Sequence, residues 1–274
     1  MAEQTKLAPP DAAKVDDELA GSEAPLLDHL IELRKRLIRS VLVIFALLIG
    51  CFFFAGAIYD ILVAPYKAVV PADQLGNFEL IYTAPQELFF TQLSVAFFGA
   101  IFLGFPYLAV EVYGFVAPGL YKKERRAFIP YLIATPVFFL LGAALVYFAV
   151  LPMAMRFFLG MQTEDIRMLV KVSEYLGLVM TLILAFGVCF QLPVILTLLA
   201  RIELVSAAAL KKGRKYAIVG ILVFAAFITP PDPISQIGLS LPMYLLYELS
   251  ILSVIWVERA RARALAAEPE SSAE

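Results

Sequence analysis

The sequence predicts an all-α integral membrane protein with six transmembrane helices and both termini in the cytoplasm. Three observations support this class: an apolar composition, long uncharged runs, and a one-sided distribution of basic residues. The 274-residue chain is 61% hydrophobic and 17% charged, with a mean hydropathy of +0.83, whereas soluble domains contain roughly 45–50% apolar residues. This composition excludes an ordinary soluble domain.

Uncharged runs locate the spans, because a helix needs about 20 apolar residues to cross the hydrocarbon layer. Four runs meet this requirement, at residues 40–59, 88–110, 127–155 and 175–200. Two shorter runs of 16 and 15 residues follow, at 216–231 and 233–247, and the chain continues apolar at 249–257 after Glu248. We therefore expect the last two helices to be short and to form a hairpin with its tip at residues 229–233.

Prolines recur inside or at the edges of the spans, and each one bends its helix and frees a backbone carbonyl. So many bends favour a curved, concave assembly over a straight bundle. The prolines concerned are Pro106, Pro130, Pro136, Pro152, Pro193 and Pro242.

The basic residues predict the orientation. With six spans, 18 of the 22 Lys and Arg residues lie on the face that holds the termini, and the other four lie opposite. The positive-inside rule places the more basic face in the cytoplasm.

The ends of the chain differ in composition from its apolar centre. Residues 1–24 are acidic and contain no apolar core, so we expect a disordered cytoplasmic tail and no signal or transit peptide. The membrane domain is expected at residues 25–258, and residues 259–274 are expected to form a second cytoplasmic tail. Between the first tail and the first span, leucines at three- and four-residue spacing predict an amphipathic surface helix, with Glu32 directed toward the cytosol or the lipid headgroups.

The start of the second span has the features of a capped helix. Thr83 precedes Gln86 by three residues, Pro85 lies in the first turn, and Glu87 follows. This spacing predicts a cap with a favourable dipole interaction and does not require a functional site.

Three polar residues lie within or at the ends of spans: Gln191, Glu248 and Glu111. A carboxylate in the membrane is a candidate functional group, although near a boundary its side chain can reach water. For Gln191, a hydrogen bond that fixes helix packing is an equal alternative. The two cysteines and the single histidine show no ligand spacing, so no metal site is expected.

Four motifs occur in order over about residues 25–257: HLIELRKRL, FVAPGLYKKERR, FGVCFQLPV and TPPDPISQ. Together they resemble the TatC family, the multispanning receptor of the twin-arginine protein export system. Each motif alone has modest specificity, and the ordered set of four is highly specific.

The resemblance implies a signal-peptide receptor and core subunit that exports folded proteins across the cell inner membrane with the proton-motive force. It implies twin-arginine signal peptides, TatB-like and TatA-like single-span proteins and further copies of the chain as partners, with no nucleic acid and no cofactor. The residues that match the family's signal-binding surface are Glu32, Glu124, Phe115 and Tyr121.

A carboxylate suits the recognition of arginine, because a guanidinium presents a planar fork of donors and lysine presents only a point charge. Glu124 has no cation three or four residues away that would form an intrahelical pair. Glu32 precedes Lys35 and Arg36, so a surface ion pair explains it equally well. The cations around Glu124 serve as a topology signal and would repel an arginine pair.

The resemblance also bears on Gln191 and Asp232. Many members of the family have a glutamate where this chain has Gln191, so we expect no proton-linked role there and retain a hydrogen bond to a partner's membrane helix. Asp232 matches a family position in the predicted periplasmic loop, although its spacing alone indicates a tight turn with a solvated acid.

Two other classes of protein were weighed. A secondary transporter would show repeats and ionisable groups at the membrane centre, and this chain shows no repeat and has its strongest acids on the cytoplasmic face. A noncatalytic scaffold would lack arginine-specific binding. An enzyme is not expected, because no motif combines a nucleophile, a base and an orienting group.

Overall fold

The computed structural model describes residues 12–71, 80–116, 129–163, 169–228 and 233–267, with side chains from 29 to 263 except 116, 129 and 233–235. These residues form nine α-helices, one π-helical turn and an isolated bridge between Ile81 and Lys171. The helices are α1 (Ala12–Phe53), α2 (Ala55–Lys67), α3 (Glu87–Val116), α4 (Ile129–Leu145), α5 (Leu151–Gly160), α6 (Val172–Cys189), α7 (Leu192–Arg201), α8 (Ala207–Ile228) and α9 (Pro233–Ala267). The π turn is Val146–Val150. The predicted all-α class is confirmed.

Within the described ranges, five helical segments are long and apolar enough to cross a membrane. They are His29–Phe53, Glu87–Phe115, Pro130–Gly160, Val172–Arg201 and Gln236–Arg263. The remaining predicted span corresponds to α8, whose first half contains four cations between residues 211 and 215. The longest uncharged run in α8 is residues 216–228, so a sixth crossing remains a prediction.

Both terminal helices extend beyond the predicted limits. α1 begins at Ala12, within the segment that the sequence predicted to be disordered, and α9 continues to Ala267 within the second predicted tail. Alanine, leucine, glutamate and arginine dominate these extensions, and these residues favour helix. α9 therefore has 35 residues, where the sequence predicted a short last helix.

The predicted amphipathic surface helix is continuous with the first span. Leu30, Leu33 and Leu37 are exposed on α1, together with Val41 and Phe45 further along the helix. An unbroken exposed apolar face of this length is suited to lipid. Glu32 lies on the other side of α1 and forms an ion pair with Arg36 of the same helix, which in turn contacts α3.

Three interruptions divide the helices. Phe54 separates α1 from α2, the π turn separates α4 from α5, and the pair Phe190 and Gln191 separates α6 from α7. Pro152 and Pro193 lie in the first turns of α5 and α7, where their missing N–H groups leave no donor unsatisfied. Other prolines, including Pro106, Pro136 and Pro242, lie inside α3, α4 and α9.

One end of the assembly is fastened by Glu87 in the first turn of α3. Its Oε2 accepts the backbone N–H of Thr83 at 2.9 Å, and its Oε1 accepts the Ser173 hydroxyl at 2.6 Å. Lys171 Nζ lies 3.6 Å from Oε2. The sequence predicted a cap formed by Thr83 and Gln86, whereas α3 begins at Glu87 and it is Glu87 that bonds back to Thr83. The same carboxylate joins α3 to the start of α6.

Glycines permit the close approach of α4 and α6. A Cβ atom added to Gly142 would lie 2.6 Å from the backbone oxygen of Phe186, and one added to Gly187 would lie 2.4 Å from the ring of Phe139. Phe139 and Phe186 are both almost fully buried. In lipid, helices associate mainly through such close van der Waals packing, because lipid tails are as apolar as the side chains.

We expect Glu87→Gln to lower the thermal stability of the protein in detergent. The substitution removes the charge from a buried carboxylate that contacts the Thr83 N–H and hydroxyl, the Ser173 hydroxyl and the Lys171 ammonium, for a loss of about 1–3 kcal/mol. Glu174→Gln is the matched control, because Glu174 lies in the first turn of α6 and is exposed. Equal melting temperatures for the two variants would contradict the role of Glu87.

We expect Gly142→Ala to destabilise the protein, because the new methyl carbon would lie 2.6 Å from the backbone oxygen of Phe186, so α4 and α6 must shift apart. Overpacking of this kind costs about 1–3 kcal/mol. Gly50→Ala is the control, since no atom lies within 4 Å of its added Cβ. Thermal unfolding in the same detergent separates the two, and a melting temperature for Gly142→Ala at or above that of Gly50→Ala would refute the packing argument.

Candidate functional site

The candidate site lies where α1 contacts α3. We call this the α1–α3 junction and define it by His29, Glu32, Arg36, Glu111 and Phe115. The residues on α1 are spaced three and four positions apart, so they share one helix face. Glu111 and Phe115 are four apart on α3 for the same reason. The junction therefore brings together two segments that are about 75 residues apart in the chain.

Glu32 forms an ion pair with Arg36, one turn later on the same helix. Arg36 Nη2 lies 2.6 Å and Nε 3.0 Å from the same Glu32 oxygen, Oε1. The Glu32 side chain is 35% exposed. The surface pair that the sequence offered as an alternative explanation of Glu32 is therefore present, and its carboxylate also remains partly open to solvent or ligand.

Arg36 bridges two carboxylates. Its Nη1 donates to Glu111 Oε2 at 3.0 Å while the rest of the guanidinium bonds Glu32. A Cβ atom added to Gly114 would lie 2.3 Å from Arg36 Nη1, so only glycine leaves room for the guanidinium to lie against α3. Burial, two carboxylates and this glycine hold Arg36 in a defined position.

Glu111 is the buried member of the junction, with its side chain only 8% exposed. Its Oε2 also accepts Arg39 Nη2 at 3.2 Å, and its Oε1 accepts the Tyr107 hydroxyl at 2.8 Å. Two guanidinium groups and a phenol therefore offset the cost of burying this carboxylate. The sequence identified Glu111 only as a polar residue at the end of a span.

Phe115 stacks on His29 across the two helices. Their ring centroids are 4.1 Å apart and the rings are nearly parallel, at 19°. His29 lies one turn before Glu32, and Phe115 lies one turn after Glu111. Two of the four predicted signal-binding residues, Glu32 and Phe115, thus meet at one junction. Glu124 and Tyr121, like Asp232 in the predicted hairpin tip, lie outside the described residues.

Gln191 lies at the break between α6 and α7 and is 6% exposed. Its Nε2 donates to the backbone oxygens of Thr135 at 3.0 Å and Gly187 at 3.4 Å. Within the described part of the chain its Oε1 has no hydrogen-bond partner. The packing role that the sequence offered as an alternative for Gln191 is supported by these bonds, which tie α4 to the α6–α7 break.

Glu248 joins α9 to the basic first half of α8. Arg214 Nη2 lies 2.7 Å from Glu248 Oε2, and the Tyr244 hydroxyl donates to Oε1 at 2.9 Å. A further ion pair, between Arg261 and Glu203, and a bond from the Ala207 N–H to Glu258 fasten α9 near its end. The contact of Glu248 is therefore within the chain.

We expect Arg214→Gln to lower the thermal stability, because it leaves the Glu248 carboxylate without its cation in an apolar setting. Adding Glu248→Gln should restore part of the loss, since no unpaired charge then remains. Lys212→Gln is the control for removing an exposed cation from the same helix turn. Unfolding in detergent tests this, and a double variant less stable than Arg214→Gln would contradict the ion-pair explanation.

Most of these partnerships had no signal in the sequence. The bond from Arg36 to Glu111 joins residues 75 apart, and that from Arg214 to Glu248 joins residues 34 apart. Spacing rules describe contacts within one helix and do not reach across two. A carboxylate in the membrane is generally expected to have a cation nearby. Only the tertiary structure shows which cation that is.

Comparison with known proteins decides the family of the chain. A family model described as "Sec-independent protein translocase protein (TatC)" matches residues 28–242. The TatC protein of Magnetococcus marinus is 46% identical over 246 residues, covering 90% of this chain and 89% of the relative. The chain belongs to the TatC family. The TatC protein of Escherichia coli K12 is 36% identical over 240 residues, covering 87% of this chain and 92% of the relative.

The solved structures agree with the TatC family. A crystal structure of the twin-arginine translocase receptor TatC superposes with a TM-score of 0.74 at 33% identity and covers 84% of this chain and 99% of that chain. A second structure of the receptor, in DDM, gives a TM-score of 0.73 at 34% identity and covers 82% of this chain and 98% of that chain.

Membership of the TatC family confirms the resemblance drawn from the four motifs. The chain is a multi-pass membrane protein of the Sec-independent protein translocase and is not an enzyme. The alternative prediction, a secondary transporter of a small solute or ion, is not favoured by this assignment.

Proposed function

We propose that this TatC-family chain is the signal-peptide receptor and core subunit of a twin-arginine translocase. It exports folded proteins across the inner membrane with the proton-motive force. The observation that supports the proposal most directly is the α1–α3 junction, where the accessible carboxylate of Glu32 lies beside the stacked rings of Phe115 and His29. This is a surface suited to a guanidinium.

The chemistry of the site favours arginine over lysine. A carboxylate accepts two parallel N–H donors from a guanidinium, and aromatic rings stack on its planar face. Glu124 and Tyr121 follow the end of α3 by eight and five residues. We propose that they complete the site with a second carboxylate and a second ring, so that each peptide arginine has its own acid.

The proposed orientation has both termini and the α1–α3 junction in the cytoplasm, with α8 as the sixth transmembrane helix. The distribution of basic residues supports it, with 18 of 22 Lys and Arg residues on this face. Asp232 then lies in a periplasmic loop. The tails at residues 1–24 and 259–274 lie in the cytoplasm on either side of the membrane domain.

Other Tat components are proposed as partners. A TatB-like and a TatA-like single-span protein, and further copies of this chain, would contact its lipid-facing helices. Gln191 and Glu248 are the proposed polar positions for such contacts within the membrane. The Oε1 of Gln191 has no hydrogen-bond partner among the described residues and is buried in this chain, so a hydroxyl or amide of a partner helix reaches it only if α4 and the α6–α7 break move apart.

The receptor role is tested by site-specific crosslinking in membranes. A photoreactive group placed beside Glu32 on α1 is exposed to a signal peptide with two arginines, and in parallel to an otherwise identical peptide with two lysines. We expect crosslinks with the first peptide and at least a tenfold loss with the second, because the lysine ammonium cannot place two parallel N–H donors on one carboxylate. Equal crosslinking of both peptides would overturn the proposal.

We also expect Glu124→Lys to reduce the export of a twin-arginine reporter more than Glu32→Gln does. Charge reversal places a repulsive cation where an arginine must bind, whereas the amide of the second variant still accepts a hydrogen bond. Glu270→Lys in the C-terminal tail controls for an added charge on the same proposed face. Reporter export is compared at equal amounts of inserted protein. Normal export by both site variants would refute the assignment.

A further inference from the structure

The α1–α3 junction contains an arginine of the chain itself in the position where a peptide arginine is proposed to bind. Arg36 places two of its nitrogens on Glu32, at 2.6 and 3.0 Å. This geometry uses the same donors and the same acceptor that a signal-peptide guanidinium would use. A peptide arginine must therefore displace Arg36 or share one carboxylate with it.

Glu111 gives Arg36 a second partner that does not depend on Glu32. Its carboxylate is more deeply buried than that of Glu32, at 8% against 35% exposed. It accepts Arg36 Nη1 at 3.0 Å, and the Gly114 position leaves space for the guanidinium against α3. If Glu32 turned away, Arg36 would keep one charge-assisted hydrogen bond and its place on α3. Its release from Glu32 would not leave a buried charge without a partner.

From this arrangement we propose that Arg36 is an internal competitor for Glu32, and that Glu111 is the positioning residue that receives Arg36 when a signal peptide binds. This inference rests on the proposed receptor function. The exchange replaces one guanidinium on Glu32 with another, so a peptide arginine competes on equal terms. A lysine competes with only a point charge. Arg36 therefore sets a minimum affinity for Glu32 that a peptide arginine reaches and a peptide lysine does not.

The proposal predicts effects of opposite sign at the two residues. Arg36→Lys keeps the positive charge but weakens the competitor, so it should tighten the binding of both the two-arginine and the two-lysine peptides by about the same factor, on the order of tenfold. Glu111→Gln weakens the second partner of Arg36, so Arg36 stays on Glu32 and the two-arginine peptide should bind several-fold more weakly. Combining both substitutions should return affinity toward that of Arg36→Lys, because the competitor is then weak.

Arg34→Lys is the matched control. Arg34 lies on the same helix, two residues before Arg36, and its side chain is exposed. Among the described residues, the ion pairs of Glu32 and Glu111 are with Arg36 and Arg39 and do not include Arg34. We expect the peptide affinity of this variant to match that of the unsubstituted protein. Any change shared by Arg36→Lys and Arg34→Lys would show that the charge cluster as a whole matters, and it would overturn a specific role for Arg36.

The experiment measures the binding of a fluorescent two-arginine peptide and its two-lysine counterpart to the full chain in membrane nanodiscs, after the melting temperature of each variant has been checked. Unchanged or weaker binding to Arg36→Lys would overturn the proposal, since a residue that merely orients Glu32 would weaken binding when altered. Stronger or unchanged binding to Glu111→Gln would also overturn it.

Glu32→Gln separates this inference from the proposed function. If Glu32→Gln leaves two-arginine binding unchanged, Glu32 is not part of the receptor site, and both proposals lose their basis. If Glu32→Gln abolishes binding while Arg36→Lys fails to strengthen it, the receptor function stands and only the competition by Arg36 is refuted.

Discussion

A charge that enters the apolar layer must find its opposite within the protein, and this requirement organises the helices of this chain. Three carboxylates among the described residues illustrate this: Glu87, Glu111 and Glu248. Each is paired with a cation from another part of the chain, respectively Lys171, Arg36 with Arg39, and Arg214. An unpaired charge in this setting costs several kcal/mol, so each pair also specifies which two segments must lie side by side.

The three pairs differ in their surroundings, and the difference has functional meaning. Glu87 contacts Thr83, Ser173 and Lys171, and its role is structural because it joins α3 to the start of α6. Glu248 is held between two helices of the hairpin. Only the pair at the α1–α3 junction is continuous with a partly exposed carboxylate, Glu32, through the shared guanidinium of Arg36. A ligand that binds Glu32 would therefore be coupled directly to the packing of α1 on α3.

The close contacts between helices depend on small residues and on breaks. Gly142 and Gly187 let α4 and α6 approach, and Gly114 makes room for a guanidinium. The break at Phe190 and Gln191 allows Gln191 to turn its amide toward α4. In lipid, polar groups of the backbone need partners inside the protein. Interrupted helices with nearby side-chain amides and hydroxyls meet that need without adding charges.

The amino-acid sequence by itself determined the class of the protein, the positions of four apolar spans and the family, because apolar length and ordered motifs are properties of the linear chain. Its resemblance to the family also predicted Glu32 and Phe115 as site residues, which stays a prediction, and both lie at the α1–α3 junction. The bounds of α1 and α9 were less predictable, since helix propensity extends both beyond their apolar parts. Glu124, Tyr121 and Asp232 lie outside the described residues.

Only the tertiary structure decided which charge pairs with which. Glu32 had two candidate cations on its own helix, and the helix face turned toward α3 selected Arg36, because there it also reaches Glu111. The sequence identified Glu111 only as a carboxylate at the end of a span, and the partner that defines its role lies 75 residues away. Contacts over such distances depend on how two helices pack and on where a glycine leaves space, and spacing within one segment does not contain that information.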